Sequence, residues 1–198
     1  MHERNAKGNQ RTKLEGFCCG VAEVPAPLHP APAVTVLGVV RLPEPVLKRR
    51  AGEVGEITGE VRRLCDDLIE TMRASPACVG LAAPQVGVGL RVFCVDVTGH
   101  RKARSCHGTV VLVDPEVVAT GPAATGREGC MSVPDLTGDV PRATELVIRG
   151  RTPEGVGRVL QVDAFEARAF LHELDHLDGL LFLDRVTSGR LFPRKVYR

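Results

Sequence analysis

The sequence lacks a run of apolar residues long enough to cross a membrane. Its longest apolar stretches, such as residues 34–40, are far shorter than the roughly 20 residues that a transmembrane helix requires. It also lacks an excess of charge of one sign, because 26 Lys and Arg residues are balanced by 24 Asp and Glu residues. Without a strong basic field, the composition gives no support for nucleic acid as the main partner. We therefore expect neither a membrane span nor a specific DNA target.

The sequence also lacks the cysteine pattern of a secreted, disulfide-bonded protein. Its seven cysteines are odd in number and include no Cys-x-x-Cys pair. Residues 1–13 are polar and charged, and no apolar segment with a small-residue cleavage site follows them. We expect reduced thiols, no secretory signal and a cytoplasmic location.

A proline-rich segment separates the N-terminal residues from the part of the chain that shows regular periodicity. Residues 25–32 contain four prolines, which forbid a helix and disfavour a central strand. We predict that residues 1–35 form a disordered Pro/Ala-rich extension. Residues 36–198 are predicted to form a single domain without internal repeats.

Hydrophobic periodicity predicts two helices and four strands in this domain. Apolar residues at spacings of three and four predict a helix over 57–72 and a second over 164–177, with Asp163 as the N-cap of the second. Segments rich in β-branched residues predict strands at 91–97, 109–113, 145–149 and 158–162, and glycines and prolines predict a loop at 121–141. Strands that are followed by a helix without regular alternation indicate an α+β fold.

The strongest local signal is the segment 172–176, which reads His-Glu-Leu-Asp-His on the second predicted helix. Positions four apart lie on the same side of a helix, so His172 and His176 can reach one metal ion. Glu173 lies beside that face and can act as a general base on a water bound to the ion. A motif with three fixed positions also occurs by chance, so an ordinary pair of histidines stays open at this point.

A catalytic site of this kind needs a third protein ligand and an open position for water. The sequence contains no His and no Glu after His176, which leaves Asp178 and Asp184 as candidates on that side. Upstream, the segment 128–134 offers Cys130, which by itself is either a ligand or an inert buried thiol. A further segment, 80–87, combines small residues with the amide of a glutamine, although a tight turn explains it equally well.

Together these segments resemble the three motifs of the peptide deformylases, in the same order. The family motifs are a Gly-φ-Gly-φ-Ala-Ala-x-Gln loop, a Glu-Gly-Cys-φ-Ser segment and a helical His-Glu-x-x-His, where φ is an apolar residue. Residues 78–85, 128–132 and 172–176 correspond to them, and the similarity extends from about residue 36 to residue 185.

The resemblance implies a deformylase-like α+β fold, with antiparallel or mixed sheets packed around a C-terminal metal-binding helix. It implies a hydrolase that removes the N-formyl group from the N-terminal formylmethionine of nascent polypeptides and releases formate. Cys130, His172 and His176 would hold one divalent metal. We expect Fe²⁺ in the cell, and iron, Zn²⁺ or Ni²⁺ after purification.

The resemblance also implies roles for other residues. Glu173 would move the proton, while the Gln85 side-chain amide and the Met131 backbone N–H would hold the oxyanion together with the metal. The backbone around Gly80 and Gly129 would pair with the substrate peptide.

Helical spacing places Phe165 and Ala169 on the same face as the two histidines. We expect this face, together with Val79, to receive the methionine side chain; alternatively, Phe165 only packs the helix against the sheet.

Asp175 points away from the ligand face, and Arg142 matches the arginine of the family's Val-Pro-Arg segment. We expect these two residues to form an ion pair that orients the helix, the alternative being two solvated charges.

Three positions depart from the family pattern. Cys78 stands where the loop usually begins with glycine, which leaves the local geometry open because cysteine disfavours positive φ. Met131 replaces a common leucine, and Leu171 replaces a frequent glutamine. The metal, acid–base and amide positions are unchanged, so we expect activity.

Two other functions remain open from the sequence. One is a His-Glu-x-x-His metalloprotease with a third ligand after His176, and the other is a catalytically inactive metal-binding relative. The intact Glu173 argues against an inactive relative, because a structural metal site needs no base.

The end of the chain is basic. Five basic residues and no acidic residue follow Asp184: Arg185, Arg190, Arg194, Lys195 and Arg198. This tail is either a contact to ribosomal RNA or a solvated basic end.

Overall fold

A computed structural model of the chain describes residues 34–187 and 189–194. The predicted extension lies almost entirely outside the described residues, so the proposed division at residue 35 stays a prediction. The described residues all fall within one unit, Ala33–Arg198. None of the helices in these two ranges combines the length and hydrophobicity of a membrane span.

The described residues form three α-helices and eight β-strands. The helices are α1 (Gly59–Ala74), α2 (Ala164–Leu177) and α3 (Phe182–Arg185). The strands are β1 (Gly80–Ala82), β2 (Val92–Val95), β3 (Val110–Thr120), β4 (Ala123–Cys130), β5 (Val133–Ala143), β6 (Glu145–Arg151), β7 (Gly157–Asp163) and β8 (Leu191–Pro193).

The strands form two sheets, and α2 contacts strands of both. The larger sheet has the order β1-β2-β3-β6-β7 and the smaller has the order β4-β5-β8, with antiparallel pairing between the strands in each. The larger sheet packs Phe93, Leu112 and Ile148 against Phe170 and Leu174 of α2 in one apolar core. The α+β class, with a C-terminal helix packed on the sheets, is confirmed.

The helix α1 closes the other face of the larger sheet. Its buried residues, among them Leu64 and Leu68, pack against Leu81 and Val92 of the sheet. The Thr58 hydroxyl accepts a hydrogen bond from the Val61 N–H and caps the helix at its start. The helix lies two residues later than the predicted range of 57–72.

The helix α2 spans the predicted residues 164–177 and begins after the predicted N-cap residue, although the side chain of this residue does not cap the helix. Asp163 is the N-cap residue and makes no capping bond; its Oδ1 instead accepts a hydrogen bond from the Ser105 N–H, at 2.8 Å. The helix ends before Gly179, which has a φ of 73°. A Cβ at this glycine would lie 2.8 Å from the carbonyl carbon of Arg49, so a side chain would clash with the backbone that covers the helix end.

The predicted loop at 121–141 is wrong, because β4 and β5 form a hairpin there. The register runs from Ala123 opposite Ala143 to Gly129 opposite Thr137. Glycine, proline and charged residues have low strand propensity, so the segment resembles a loop in sequence. Contacts with the rest of the fold stabilise the hairpin: β8 pairs with β5, and Arg168 of α2 donates to backbone carbonyls of both strands.

Candidate active site

Three side chains that can bind a metal meet between the β4–β5 hairpin and α2. Cys130 is the last residue of β4, and His172 and His176 lie about one turn apart on α2. Potential ligand atoms of the three residues all lie within 4.8 Å of one another, and Cys130 Sγ is 3.2 Å from His176 Nε2. The structure therefore brings together the three residues that the sequence suggests as metal ligands.

The sulfur of Cys130 lies in an environment that favours the thiolate. It accepts hydrogen bonds from Gln85 Nε2 at 3.3 Å and from the Ser132 N–H at 3.4 Å. Burial by itself would raise the pKa of this thiol, but the adjacent His176 and His172 outweigh burial and hold the pKa well below its usual value. A thiolate with two imidazoles is a donor set that suits iron or zinc.

Glu128 orients one of the two histidines. Its Oε2 lies 2.9 Å from His172 Nδ1, which leaves Nε2 of that ring available to a metal. Arg142 and Arg168 also donate to this carboxylate. Burial raises the pKa of Glu128, but the bonds from His172 and Arg142 outweigh burial and lower it to about 2. Glu128 is not among the residues predicted from the sequence, although its position two residues before Cys130 places both side chains on one face of β4.

Arg142 and Asp175 form the ion pair that the sequence predicts. Arg142 Nη1 lies 2.5 Å from Asp175 Oδ2, and the two side chains are only 5% and 7% exposed, so they are not solvated surface charges. Arg185 also donates to Asp175. Both members of the pair line a second cavity of about 640 Å³, which is separate from the one that contains the metal-binding group.

Glu173 lies in the site with one carboxylate oxygen unpartnered. Burial raises its pKa to about 7. Among the described residues, Glu173 Oε2 and His176 Nδ1 are buried polar atoms without a hydrogen-bond partner. Buried polar atoms are rarely left in this state, so the unpartnered Glu173 oxygen, which lies beside the metal-binding group, fits an additional polar group such as a metal-bound water.

Gly80 provides the space that the Glu173 carboxylate occupies. A Cβ at this position would lie 2.5 Å from Glu173 Oε1. Gly80 begins β1, an edge strand of the larger sheet, so its backbone borders the site directly. Glycine is therefore required here for a close approach rather than for an unusual backbone angle.

The amide of Gln85 has a defined orientation. Its Oε1 accepts a hydrogen bond from the Ala82 N–H at 3.0 Å, so its Nε2 faces Cys130 Sγ and Ser132 Oγ. Gln85 lies on a short 3₁₀ turn that ends at Gly87, which has a φ of 85°. The turn thus holds an N–H donor at the position of the metal-binding group.

A cavity of about 1040 Å³ contains the site. Two of the three metal-ligand candidates line it, Cys130 of β4 and His172 of α2. All residues that the sequence suggests for catalysis and for substrate binding line it as well: Gln85, Met131, Glu173, Val79, Gly80, Gly129, Phe165 and Ala169. His176 lies behind them and is fully buried. The residues predicted for catalysis and for substrate binding therefore face one common space, whereas Arg142 and Asp175 line the second cavity.

Other residues of this cavity were missed by the sequence analysis. Arg127 and Arg168 line it from β4 and α2, and Phe192 and Arg194 line it from the C-terminal segment. The Arg127 guanidinium lies over the Phe192 ring at 3.7 Å from its centroid, and Arg194 donates to the Cys130 carbonyl. No local sequence signal identifies Phe192 and Arg194, because only the pairing of β8 with β5 brings them to the site.

Cys78 fits its loop without strain. The residue with positive φ in this loop is Ala77, at 56°, rather than Cys78. The Cys78 thiol donates to the Gly80 carbonyl at 3.0 Å. Burial, with a further contribution from Glu173, raises the pKa of this thiol to about 12, so it is protonated at neutral pH.

The two aspartates that a metalloprotease would use lie elsewhere. Asp178 pairs with Arg91 at 2.8 Å, and Asp184 pairs with Lys48 at 2.7 Å. Neither belongs to the group of residues that can hold a metal in the described part of the chain. The geometry thus favours the cysteine as the third ligand.

Sequence comparison finds close similarity to one family. The family model for polypeptide deformylase matches residues 36–191. The chain is 43% identical over 163 residues to a peptide deformylase of Desulforudis audaxviator. The aligned region covers 82% of this chain and 99% of the relative. It is 42% identical over 151 residues to a peptide deformylase of Halothermothrix orenii, and this alignment covers 76% of this chain and 94% of the relative.

Structure comparison agrees with the sequence comparison. The peptide deformylase from Thermus thermophilus superposes with a TM-score of 0.69 at 38% identity and covers 77% of this chain and 87% of that chain. The Met-Ala-Ser-bound class I type b peptide deformylase from Acinetobacter baumannii superposes with a TM-score of 0.71 at 33% identity. This superposition covers 78% of this chain and 100% of that chain.

Proposed function

Because the chain belongs to the peptide deformylase family, we propose that Cys130, His172 and His176 hold the metal ion at which it removes formyl groups. The chain is a hydrolase that removes the N-formyl group from nascent polypeptides. The observation that carries the ligand assignment is the meeting of these three donors beside an unpartnered carboxylate oxygen of Glu173.

A single divalent metal fits this donor set. When bound, it would lower the pKa of a bound water and polarise the formyl oxygen. Thiolate and imidazole accept both Fe²⁺ and Zn²⁺, and intrinsic affinity favours Zn²⁺. We propose Fe²⁺ in the cell, with Zn²⁺ or Ni²⁺ as ions acquired during purification.

Glu173 is the proposed proton carrier. Its Oε2 has no hydrogen-bond partner among the described residues and is buried beside the metal-binding group, so it is free to accept a proton from the attacking water. The same oxygen then returns the proton to the departing α-amine. Gly80 permits this placement, since any larger residue would displace the carboxylate.

Gln85 and Met131 are the proposed donors to the formyl oxygen. The Ala82 N–H holds Gln85 so that its Nε2 faces the site, and Met131 directly follows Cys130 in the hairpin turn. Donors that are held in place before the reaction stabilise the negative charge that develops on this oxygen.

The substrate peptide is proposed to extend between Gly80 and Gly129. These glycines lie on β1 and β4, which are edge strands of their sheets and border the same cavity. Unpaired edges can bind an extended peptide through backbone hydrogen bonds. The methionine side chain would then enter the part of the cavity formed by Val79, Phe165 and Ala169.

Arg142 and Asp175 are proposed to position the ligands. Arg142 connects Asp175 of α2 with Glu128 of β4, and Glu128 in turn holds His172. This chain of buried charges links the helix to the hairpin at the metal-binding group. Such partners of metal ligands fix the ring orientation and raise metal affinity.

Metal loading tests the proposed function. Protein purified without oxygen and loaded with Fe²⁺ should hold one ion per chain and release formate from formyl-Met-Ala-Ser, faster than the Zn²⁺ form. Acetyl-Met-Ala-Ser serves as the control substrate, because the larger acyl group should not be removed. Cleavage of internal peptide bonds in casein would instead support the metalloprotease alternative, and one bound metal without formate release would support an inactive relative.

The basic end of the chain is a proposed contact to the ribosome. Lys195 and Arg198 lie outside the described residues, while Arg185 and Arg194 already bind Asp175 and the Cys130 carbonyl. The support is the absence of any acidic residue after Asp184 and a substrate that emerges from the ribosome.

Charge substitution tests this contact better than truncation, because β8 pairs with β5 and its loss would disturb the hairpin. The double variant Lys195→Gln, Arg198→Gln should co-sediment with ribosomes less than the parent at low salt, with unchanged hydrolysis of formyl-Met-Ala-Ser. Equal co-sedimentation of the variant and the parent would contradict the proposal.

A further inference from the structure

The loop 98–109, which forms most of the connection between β2 and β3, is attached to the start of α2. The Ser105 N–H donates to Asp163 Oδ1, and the Asp163 N–H donates to Ser105 Oγ, both at 2.8 Å. The His107 N–H donates to Glu166 Oε1 at 2.8 Å, and His107 Nδ1 lies 3.0 Å from Glu166 Oε2. The Ser105 hydroxyl also donates to the Asp163 carbonyl at 3.4 Å, so five hydrogen bonds hold this loop on the start of the helix.

These bonds make the loop and the helix start one structural unit. Asp163 is the N-cap residue, yet its carboxylate binds the loop instead of the helix backbone. Glu166 is 1% exposed, and both of its oxygens bond to His107. A buried carboxylate is costly without such partners, so detachment of the loop is strongly disfavoured.

The same loop places an aromatic ring against a residue of the active-site cavity. The His100 ring stacks on Phe165 with centroids 3.6 Å apart and an angle of 9° between the planes. Phe165 lines the cavity together with Val79 and Ala169, whereas His100 does not. His100 thus contacts the wall of the proposed methionine pocket from behind.

We propose that His100 is a positioning residue that sets the shape of the methionine pocket by holding the Phe165 ring. Phe165 is the second residue of α2, so its ring depends on contacts from outside the helix for a defined orientation. The anchored loop supplies one such contact through His100, and the apolar core of the larger sheet and α2 supplies another. The inference rests on the proposed role of Phe165 as part of the substrate pocket. In addition, it makes His100 the residue that determines how well the pocket distinguishes methionine from other side chains at the first position of the substrate.

The test compares variants that keep or lose the stacked ring. His100→Gln removes the aromatic face, whereas His100→Phe restores it without the imidazole nitrogens. In the metal-loaded full-length protein, His100→Gln should raise KM for formyl-Met-Ala-Ser and Kd for the product Met-Ala-Ser by about 2- to 10-fold, the range of one aromatic contact. The value of kcat should change less than about twofold, because His100 does not touch the reacting atoms.

Selectivity provides the readout that a merely structural role would not change. The ratio of kcat/KM for formyl-Met-Ala-Ser to that for formyl-Phe-Ala-Ser should fall in His100→Gln and recover in His100→Phe. Lys102→Gln, an exposed change in the same loop, is the matched control and should behave as the parent. Equal selectivity in His100→Gln and the parent would overturn the positioning role, as would a failure of His100→Phe to restore it.

Phe165→Ala separates failure of this inference from failure of the proposed pocket. If Phe165→Ala changes Kd for Met-Ala-Ser and His100→Gln does not, the role of His100 is wrong and the pocket stands. If neither variant changes Kd or selectivity, the proposed pocket itself is wrong, and the inference fails with it. Thermal unfolding of each variant identifies any loss of folding.

Discussion

Replacing Glu173 with glutamine should lower kcat for formate release by about 10²- to 10⁴-fold while the protein keeps its metal, because this is the usual contribution of a general acid–base group. Glutamine has nearly the same shape as glutamate but cannot accept the proton of the attacking water. Glu173 is not expected to bind the metal, since the proposed ligand atoms belong to Cys130, His172 and His176. Formate release and metal content per chain, measured on the same preparation, check both statements.

A matched control separates this effect from a general loss of charge. Glu70→Gln changes a carboxylate on α1 that pairs with Arg73 and does not line the cavity, so its activity should equal that of the parent. Activity of Glu173→Gln within about tenfold of the parent, with the metal present, would contradict the role of Glu173 as the base. Loss of the metal in Glu173→Gln would show that this residue contributes to metal binding instead.

Replacing Cys130 with serine should lower metal affinity by more than about 100-fold, because even the partners of metal ligands contribute about 10- to 100-fold. Serine is a poor ligand for these metals, since its hydroxyl remains protonated at neutral pH. Formate release should be lost in parallel. Competition with a chromophoric chelator measures the affinity, and elemental analysis measures the metal content.

Cys78 provides a control within the same cavity. Serine at this position can still donate a hydrogen bond to the Gly80 carbonyl, so Cys78→Ser should bind metal as the parent does. If Cys78→Ser and Cys130→Ser lost metal equally, Cys130 would not be the specific ligand.

Replacing Arg142 with glutamine weakens the support of Glu128 and His172, so Arg142→Gln should show a loss of metal affinity smaller than that of Cys130→Ser. A metal affinity equal to that of the parent would contradict the positioning role of Arg142.

The secondary structure shows where local sequence is sufficient and where it is not. The helix α2 begins and ends as predicted, because its apolar periodicity and the glycine at 179 act within a few residues. The hairpin of β4 and β5 resembles a loop in sequence, because its glycines, prolines and charged residues have low strand propensity. Its stability depends on β8 and on Arg168, which are distant in sequence.

The residue types and their order along the chain are sufficient to identify the family and the chemical groups of the site. Three short motifs in a defined order supply a thiol, two imidazoles, a carboxylate and an amide, and this set of groups indicates metal-dependent hydrolysis. Their identity is a local property, so it can be determined from the residue types and their spacing.

The contacts that hold these groups in place depend on the three-dimensional fold. Glu128 acquires its contact with His172 because the hairpin lies against α2, and Gly80 is required because the Glu173 carboxylate occupies its side-chain space. In the same way, His100 reaches Phe165 because the loop 98–109 is anchored to the helix start. Each of these contacts joins residues that are far apart in the chain, and the spacing of residues along a sequence carries no information about such distances.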